Sequence, residues 1–153
     1  MEANFGTLGD WQLFNGSDTY PLCNLPTGDV PMAFASLNAN NLPEGYNSLS
    51  ECDFTPHSGN NIFWSSITGM GDWYEVYNTN HWLVSPRLSG KPQTVSFWAK
   101  SSKYTMNQEL QVGYTSGSNW RTAIYETPQI ITIPKDSVWQ QYSINIPEGT
   151  TYV

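Results

Sequence analysis

The segment Asn80–Ser101, NHWLVSPRLSGKPQTVSFWAKS, decides how this chain is read. From Gln93 onward its residues alternate: Val95, Phe97 and Ala99 fall on one side of an extended chain, and Ser96, Trp98 and Lys100 on the other. Successive side chains of a strand point to opposite faces, so the pattern predicts a half-buried β-strand. Leu83, Val95 and Phe97 read as packing residues, and Pro86 as a strand end before the chain enters the next strand. On this reading the segment makes core, identifies the fold and touches no ligand.

The same period recurs downstream. ELQVGYTSG sets Leu110, Val112 and Tyr114 on one face, and a turn is expected at Ser116–Asn119. WRTAIYET then reads as a return strand, with Thr122 and Ile124 opposite Ala123 and Tyr125. QIITIP is a short apolar strand, and VWQQYSINIP places Tyr142, Ile144 and Ile146 together. The first half has another texture. FNGSD, LPTGD, LPEGYNS, PHSGNN and TGMGDWY are turn or loop sequences, with short strands expected in Pro31–Leu37 and Asn61–Ile67. No helical period and no internal repeat interrupt this. Short alternating runs bounded by turns predict an all-β chain, a β-sandwich of two antiparallel sheets. At 153 residues it is expected to be a single domain, 1–153. PEGTTYV ends the chain as a further strand begins, so the expectation includes a last strand that is missing or is supplied by another chain.

Composition narrows the function classes. Aromatic residues make up 14% of the chain, with seven Trp and nine Tyr, which is far too many for a disordered segment. The net charge of -7 is unevenly spread: no Lys or Arg precedes Arg87, whereas nine acids do. Nucleic acid is therefore a poor partner. An acidic half without counter-charges suits either a solvated face or a divalent cation. MEANFGTLGD lacks the basic start and apolar run of a signal peptide, and no segment has membrane-spanning length, so membrane insertion is not expected. Cys23 and Cys52 would pair in an oxidising compartment, closing a long acidic loop and adding about 3 kcal/mol in the chain-entropy model. In a reducing compartment they are two buried thiols.

No catalytic constellation stands out. His57 and His81 are not in metal-ligand spacing, and no nucleophile elbow or phosphate loop occurs. Glu51 and Asp53 would share a face of a strand, but two loop acids beside a cysteine is the simpler reading. Two binding constellations remain. One is rich in oxygen ligands: Glu2 with Asn15, Ser17 and Asp18 of FNGSD could hold a hard cation such as calcium, against the alternative of a plain Asx turn. The other is aromatic: Trp73, Tyr74 and Tyr77 in GDWYEVYNTNHW, and Trp120 after a hairpin turn, could stack on sugars or anchor a protein interface.

NHWLVSPRL followed by TVSFWAKS resembles the signature of the cleaved-adhesin, or choice-of-anchor J, modules found in gingipain haemagglutinin regions and other bacterial surface proteins. HSGNNIFWSS, GDWQLFNGSD and VWQQYSINIPEGTTYV are similar to further segments of that family, and Glu2 falls where its opening F-E glutamate would stand. The resemblance implies a jelly-roll β-sandwich related to MAM and carbohydrate-binding modules. It also implies export to the surface or medium, a structural calcium ion on Glu2, Asn15 and Asp18, and adhesion to a host surface protein or glycan without catalysis. A carbohydrate-binding module of a secreted hydrolase and an assembly subunit completed by strand exchange are the alternatives. The chain departs from the family at Asn80-His81, where the pattern has D-N, in the long loop between Asp18 and Asp53, and in lacking the family's last strands with their late aspartates.

Overall fold

The computed structural model describes residues 5–16, 20–21, 33–38, 40, 53–65, 68–69, 80–101, 107–126 and 129–153. The chain folds into the strands β1 (Phe5–Leu8), β2 (Trp11–Asn15), β3 (Tyr20–Pro21), β4 (Ala35–Asn38), β5 (Asn61–Trp64), β6 (Thr68–Gly69), β7 (His81–Val84), β8 (Gln93–Ala99), β9 (Gln108–Val112), β10 (Gln129–Ile133) and β11 (Gln140–Ile146). All pairings are antiparallel, giving the sheets β1–β2–β7, β3–β6, β4–β5, β8–β11 and β9–β10. The chain is all-β, built from the paired antiparallel sheets of which a β-sandwich consists. It divides into two compact units, one of Met1–Leu49 with Phe54–Val84, the other of Ser50–Asp53 with Ser85–Val153.

In the first unit, β1 and β2 form a hairpin whose register puts Leu8 opposite Trp11, leaving Gly9-Asp10 as a two-residue loop. Gly9 has φ 61°, the positive value such a loop requires at its first position. β7 then pairs with β2, Phe14 against Trp82 and Asn15 against His81. The backbone N–H of Gly16 donates to the Asn80 carbonyl at 2.8 Å and extends that pairing by one bond. Ala33, Phe54 and Val84 are buried here, with Phe54 edge-on to Trp64 at 6.1 Å and Trp11 tilted against Phe63 at 5.6 Å. Each such aromatic contact contributes about 0.5–1.5 kcal/mol beyond its buried area.

The second unit takes its buried apolar side chains from Ile131 and Ile133 of β10 and from Ile144 and Ile146 of β11. Full burial of each contributes about 1.5–3 kcal/mol. Ser101 closes the end of β8 by donating its hydroxyl to the Pro134 carbonyl at 2.6 Å. The last residues are held on two sides. Gly149 N–H donates to Gly90 at 2.7 Å, and the carbonyls of Thr151 and Val153 accept from Leu88 and Ser85, both at 2.8 Å. On the other side Thr151 N–H donates to the Thr115 carbonyl at 2.8 Å, and Thr115 N–H donates to Tyr152 at 3.0 Å. Buried backbone polar groups need such partners, and the segment satisfies them within its own chain.

One expected strand does not form. WRTAIYET is no return strand, because Asn119 coils it into a turn. The Asn119 carbonyl accepts from the backbone N–H groups of Thr122 (3.3 Å) and Ala123 (3.0 Å), and its side-chain oxygen accepts from Arg121 N–H at 3.0 Å. An Asn side chain bonded two residues ahead favours a turn over a ladder. The loop closes where Glu126 N–H donates to the Tyr114 carbonyl at 2.9 Å, and Ile124 is left 90% exposed.

Candidate binding surface

The two faces of the β8–β11 ribbon differ sharply. On the inner face Val95 lies opposite Ile144, and Phe97 opposite Tyr142 with stacked rings 5.8 Å apart. On the outer face the opposed pairs are Thr94 with Asn145, Ser96 with Ser143, and Trp98 with Gln141, and all six residues are exposed. The Thr94 hydroxyl donates to Asn145 Oδ1 at 2.8 Å, and the Ser96 and Ser143 hydroxyls are 2.8 Å apart. These cross-strand bonds join the two rows into one polar floor. At a rise of about 3.4 Å per residue, Thr94 to Trp98 spans about 14 Å. Pro92 and Pro147, both exposed, lie just past one end of the ladder and stop its pairing there.

At the other end stand Trp98, 42% exposed, and beyond it a closed ion pair. The Lys100 ammonium is 2.6 Å from Asp53 Oδ2 and 5.0 Å from the Trp139 ring centroid. Its side chain is 7% exposed, against 45% for Asp53. A lysine this sheltered needs the carboxylate and the ring face to offset lost hydration. Within the paired strands the outer face carries no ionised side chain among the described residues, and Lys100, which continues that face past the end of β8, is paired with Asp53. An ordinary solvated face interleaves charges of both signs.

Two other places in the first unit contrast with this surface. Ser36, Asn61, Ile62 and Phe63 line a shallow recess of about 180 Å³. That is below the roughly 300–1,000 Å³ of typical small-molecule pockets. In the same unit the Ser65 hydroxyl lies 2.8 Å from His81 Nδ1, the first contact of a nucleophile-and-base pair. His81 Nε2 is buried without a hydrogen-bond partner among the described residues, and burial pushes the imidazole pKa below its usual 6.5. A working dyad also needs a third group to orient the base, and oxyanion donors beside it. Among the described residues nothing bonds Nε2 to orient the base.

Of the residues singled out by sequence, the structure describes Asn15 and Trp120. Glu2, Asp18, Cys23, Cys52, Trp73, Tyr74 and Tyr77 lie outside the described residues. Asn15 is 2% exposed at the end of β2. Trp120 is half-buried, with the Arg121 guanidinium 5.4 Å from its ring centroid and its carbonyl accepting from the Tyr125 hydroxyl at 3.4 Å. The Tyr125 phenol is pushed up to about 12 by burial and by the neighbouring Tyr152. Among the described residues no three His, Cys, Asp or Glu side chains gather as a metal site, and no helix is long and apolar enough to cross a membrane. Sequence reasoning passed over Trp98 because it took the whole of Asn80–Ser101 as core. The available signal was the alternation itself, which put Trp98 on the face opposite Val95 and Phe97.

Comparison with protein-family models, with curated proteins and with solved structures finds no match for this chain.

Proposed function

We propose that the chain is a non-catalytic recognition module of an exported adhesin, wound as a jelly-roll sandwich, with the outer face of β8–β11 as its contact surface. The observation that carries this reading is Trp98, exposed at the end of an uncharged ladder of hydroxyl and amide side chains. Exposed tryptophan is costly to leave in water and is enriched where binding energy concentrates. The rigid ribbon beneath, pinned by Phe97 on Tyr142, holds the contact groups with little ordering cost on binding. Binding of the labelled module to fixed host cells and matrix proteins tests the reading. Trp98→Ala should lower that binding at least ten-fold with an unchanged melting temperature. Equal binding by the variant would remove this face from the reading.

Calcium belongs to the same proposal. Asn15 would lend a neutral oxygen at the buried end of β2, with Glu2 and Asp18 as the carboxylates, and the bound ion would cross-link their segments. A ligand that binds only the folded state raises the melting temperature. EDTA should therefore lower it, and an identical melting curve with and without EDTA would exclude the ion.

A further inference from the structure

We infer that the β8–β11 outer face binds a neutral polysaccharide chain laid along the strands, an inference that rests on the recognition-module reading above. The first support is charge. Thr94, Ser96, Trp98, Gln141, Ser143 and Asn145 carry none, and the adjacent Lys100 and Asp53 neutralise each other at 2.6 Å. Among the described residues, an anionic glycan would meet no cation on the paired strands of this face beyond the neutralised Lys100, and a protein of net charge -7 behind it.

The second support is hydrogen-bond capacity. After the Thr94–Asn145 bond is made, the Asn145 amide still has two N–H donors, and the Thr94 oxygen still accepts. The Ser96–Ser143 pair uses one hydroxyl hydrogen and leaves the other, together with free lone pairs. Gln141 presents both an acceptor and donors beside Trp98. Sugar hydroxyls are donors and acceptors at once, so a floor offering both kinds in rows suits them. A carboxylate or sulfate asks for donors alone.

The third support is shape. The ladder extends for about 14 Å at the rise of a strand, long enough for more than one ring unit along it. One aromatic ring stands at its end to stack on the apolar face of a sugar. A protein interface draws its energy from a cluster of apolar anchors shielded by a polar rim. Here the ring stands at the edge, and the centre is made of hydroxyls.

The test is an array of neutral gluco-, xylo-, manno- and galacto-oligosaccharides printed beside sulfated, uronate and sialylated ones, followed by calorimetry with the strongest binder. At least one neutral class should bind. Trp98→Ala should weaken it ten-fold or more, Trp98→Phe should keep most of the affinity, and Asn145→Ala should cost several-fold. If Trp98→Ala does not fold, Ser143→Glu places a charge on the exposed floor and should abolish binding just as well. Neutral glycan bound equally by wild type, Trp98→Ala and Ser143→Glu would overturn the site. Binding confined to anionic glycans would overturn the neutral class while leaving the module reading intact. An array silent throughout, with Trp98-dependent binding to host proteins, would likewise overturn the glycan alone. Silence on the array together with Trp98-independent adherence would overturn both.

Discussion

The β8–β11 ribbon of the second unit and the β2–β7 pair of the first share one antiparallel geometry, yet they sort their side chains differently. In the ribbon, polarity and burial largely agree: Val95, Phe97, Tyr142, Ile144 and Ile146 face inward and the hydroxyl residues face out, with exceptions only towards the ends, Gln93 and Gln140 on the inner face and Trp98 on the outer. In β2–β7 they disagree. Val84, 1% exposed, lies on the face it shares with Gln12, while Asn15, 2% exposed, lies on the opposite face beside His81. Each face of that pair thus carries a buried residue, and one of them is polar. Where one face meets water, a binary pattern reports burial. Where each face carries a buried residue, it does not, and buried polar groups must find partners inside.

The sharpest way to break this contrast is to cut into each face of the ribbon separately. Ile146→Ala should cost about 3 kcal/mol in urea unfolding, since it removes a fully buried side chain and leaves a cavity. Ser96→Ala, on the other face, should cost less than about 0.5 kcal/mol, in the range of surface substitutions. Equal costs would mean that the outer face is covered.

An intermediate effect is expected where β2 leaves its sheet. A Cβ on Gly16 would run into the Asn80 amide and come within 2.9 Å of the Phe14 ring. The Asn80 amide cannot swing away freely, because its oxygen accepts from Trp82 Nε1 at 2.5 Å. Gly16→Ala should therefore cost about 1–3 kcal/mol through overpacking, read by the same unfolding curves. A neutral outcome would show that Asn80 is free to move.

The smallest effect concerns His81, and it separates the two regions by pH. Burial lowers the His81 pKa from 6.5, so on acidification the unfolded chain takes up the proton before the folded one does. The stability contributed by the neutral ring is complete above about pH 6.5 and is lost as the pH falls through the folded-state value. His81→Gln should flatten that part of the stability-against-pH curve. Ser96→Ala, in the ribbon, should leave its slope unchanged. An unaltered slope in His81→Gln would mean that the ring titrates as if in water.

Much of the fold was legible in order of chain position. β8 and β11 lie inside the segments whose alternation predicted them, β9 overlaps its alternating segment, β10 lies within the short apolar run QIITIP, and β4 and β5 overlap the short apolar bursts of the first half. WRTAIYET was misread because its alternation matches a strand, while the signal that decides it, Asn119 at the head of a turn, acts through one side-chain bond. The candidate surface was half legible. Ser96 and Trp98 were placed on a common face from the start, but a face becomes a surface only when its partner strand is known. The loop aromatics Trp73, Tyr74 and Tyr77, read as a site from sequence, lie outside the described residues.

The sequence by itself determined the class of structure, the positions of most strands, and which side of β8 and β11 is apolar. Period-two alternation is a local property, and a strand's two faces follow from it without reference to anything distant. Tertiary structure alone decided that β8 pairs with β11 in the register that sets Thr94 against Asn145 and Ser96 against Ser143. It also brought Asp53 to Lys100 across 47 positions of chain, and enclosed His81 Nε2. Those outcomes depend on long-range pairing and register. Neighbouring residues do not specify them: they are settled only when the buried faces of remote strands meet.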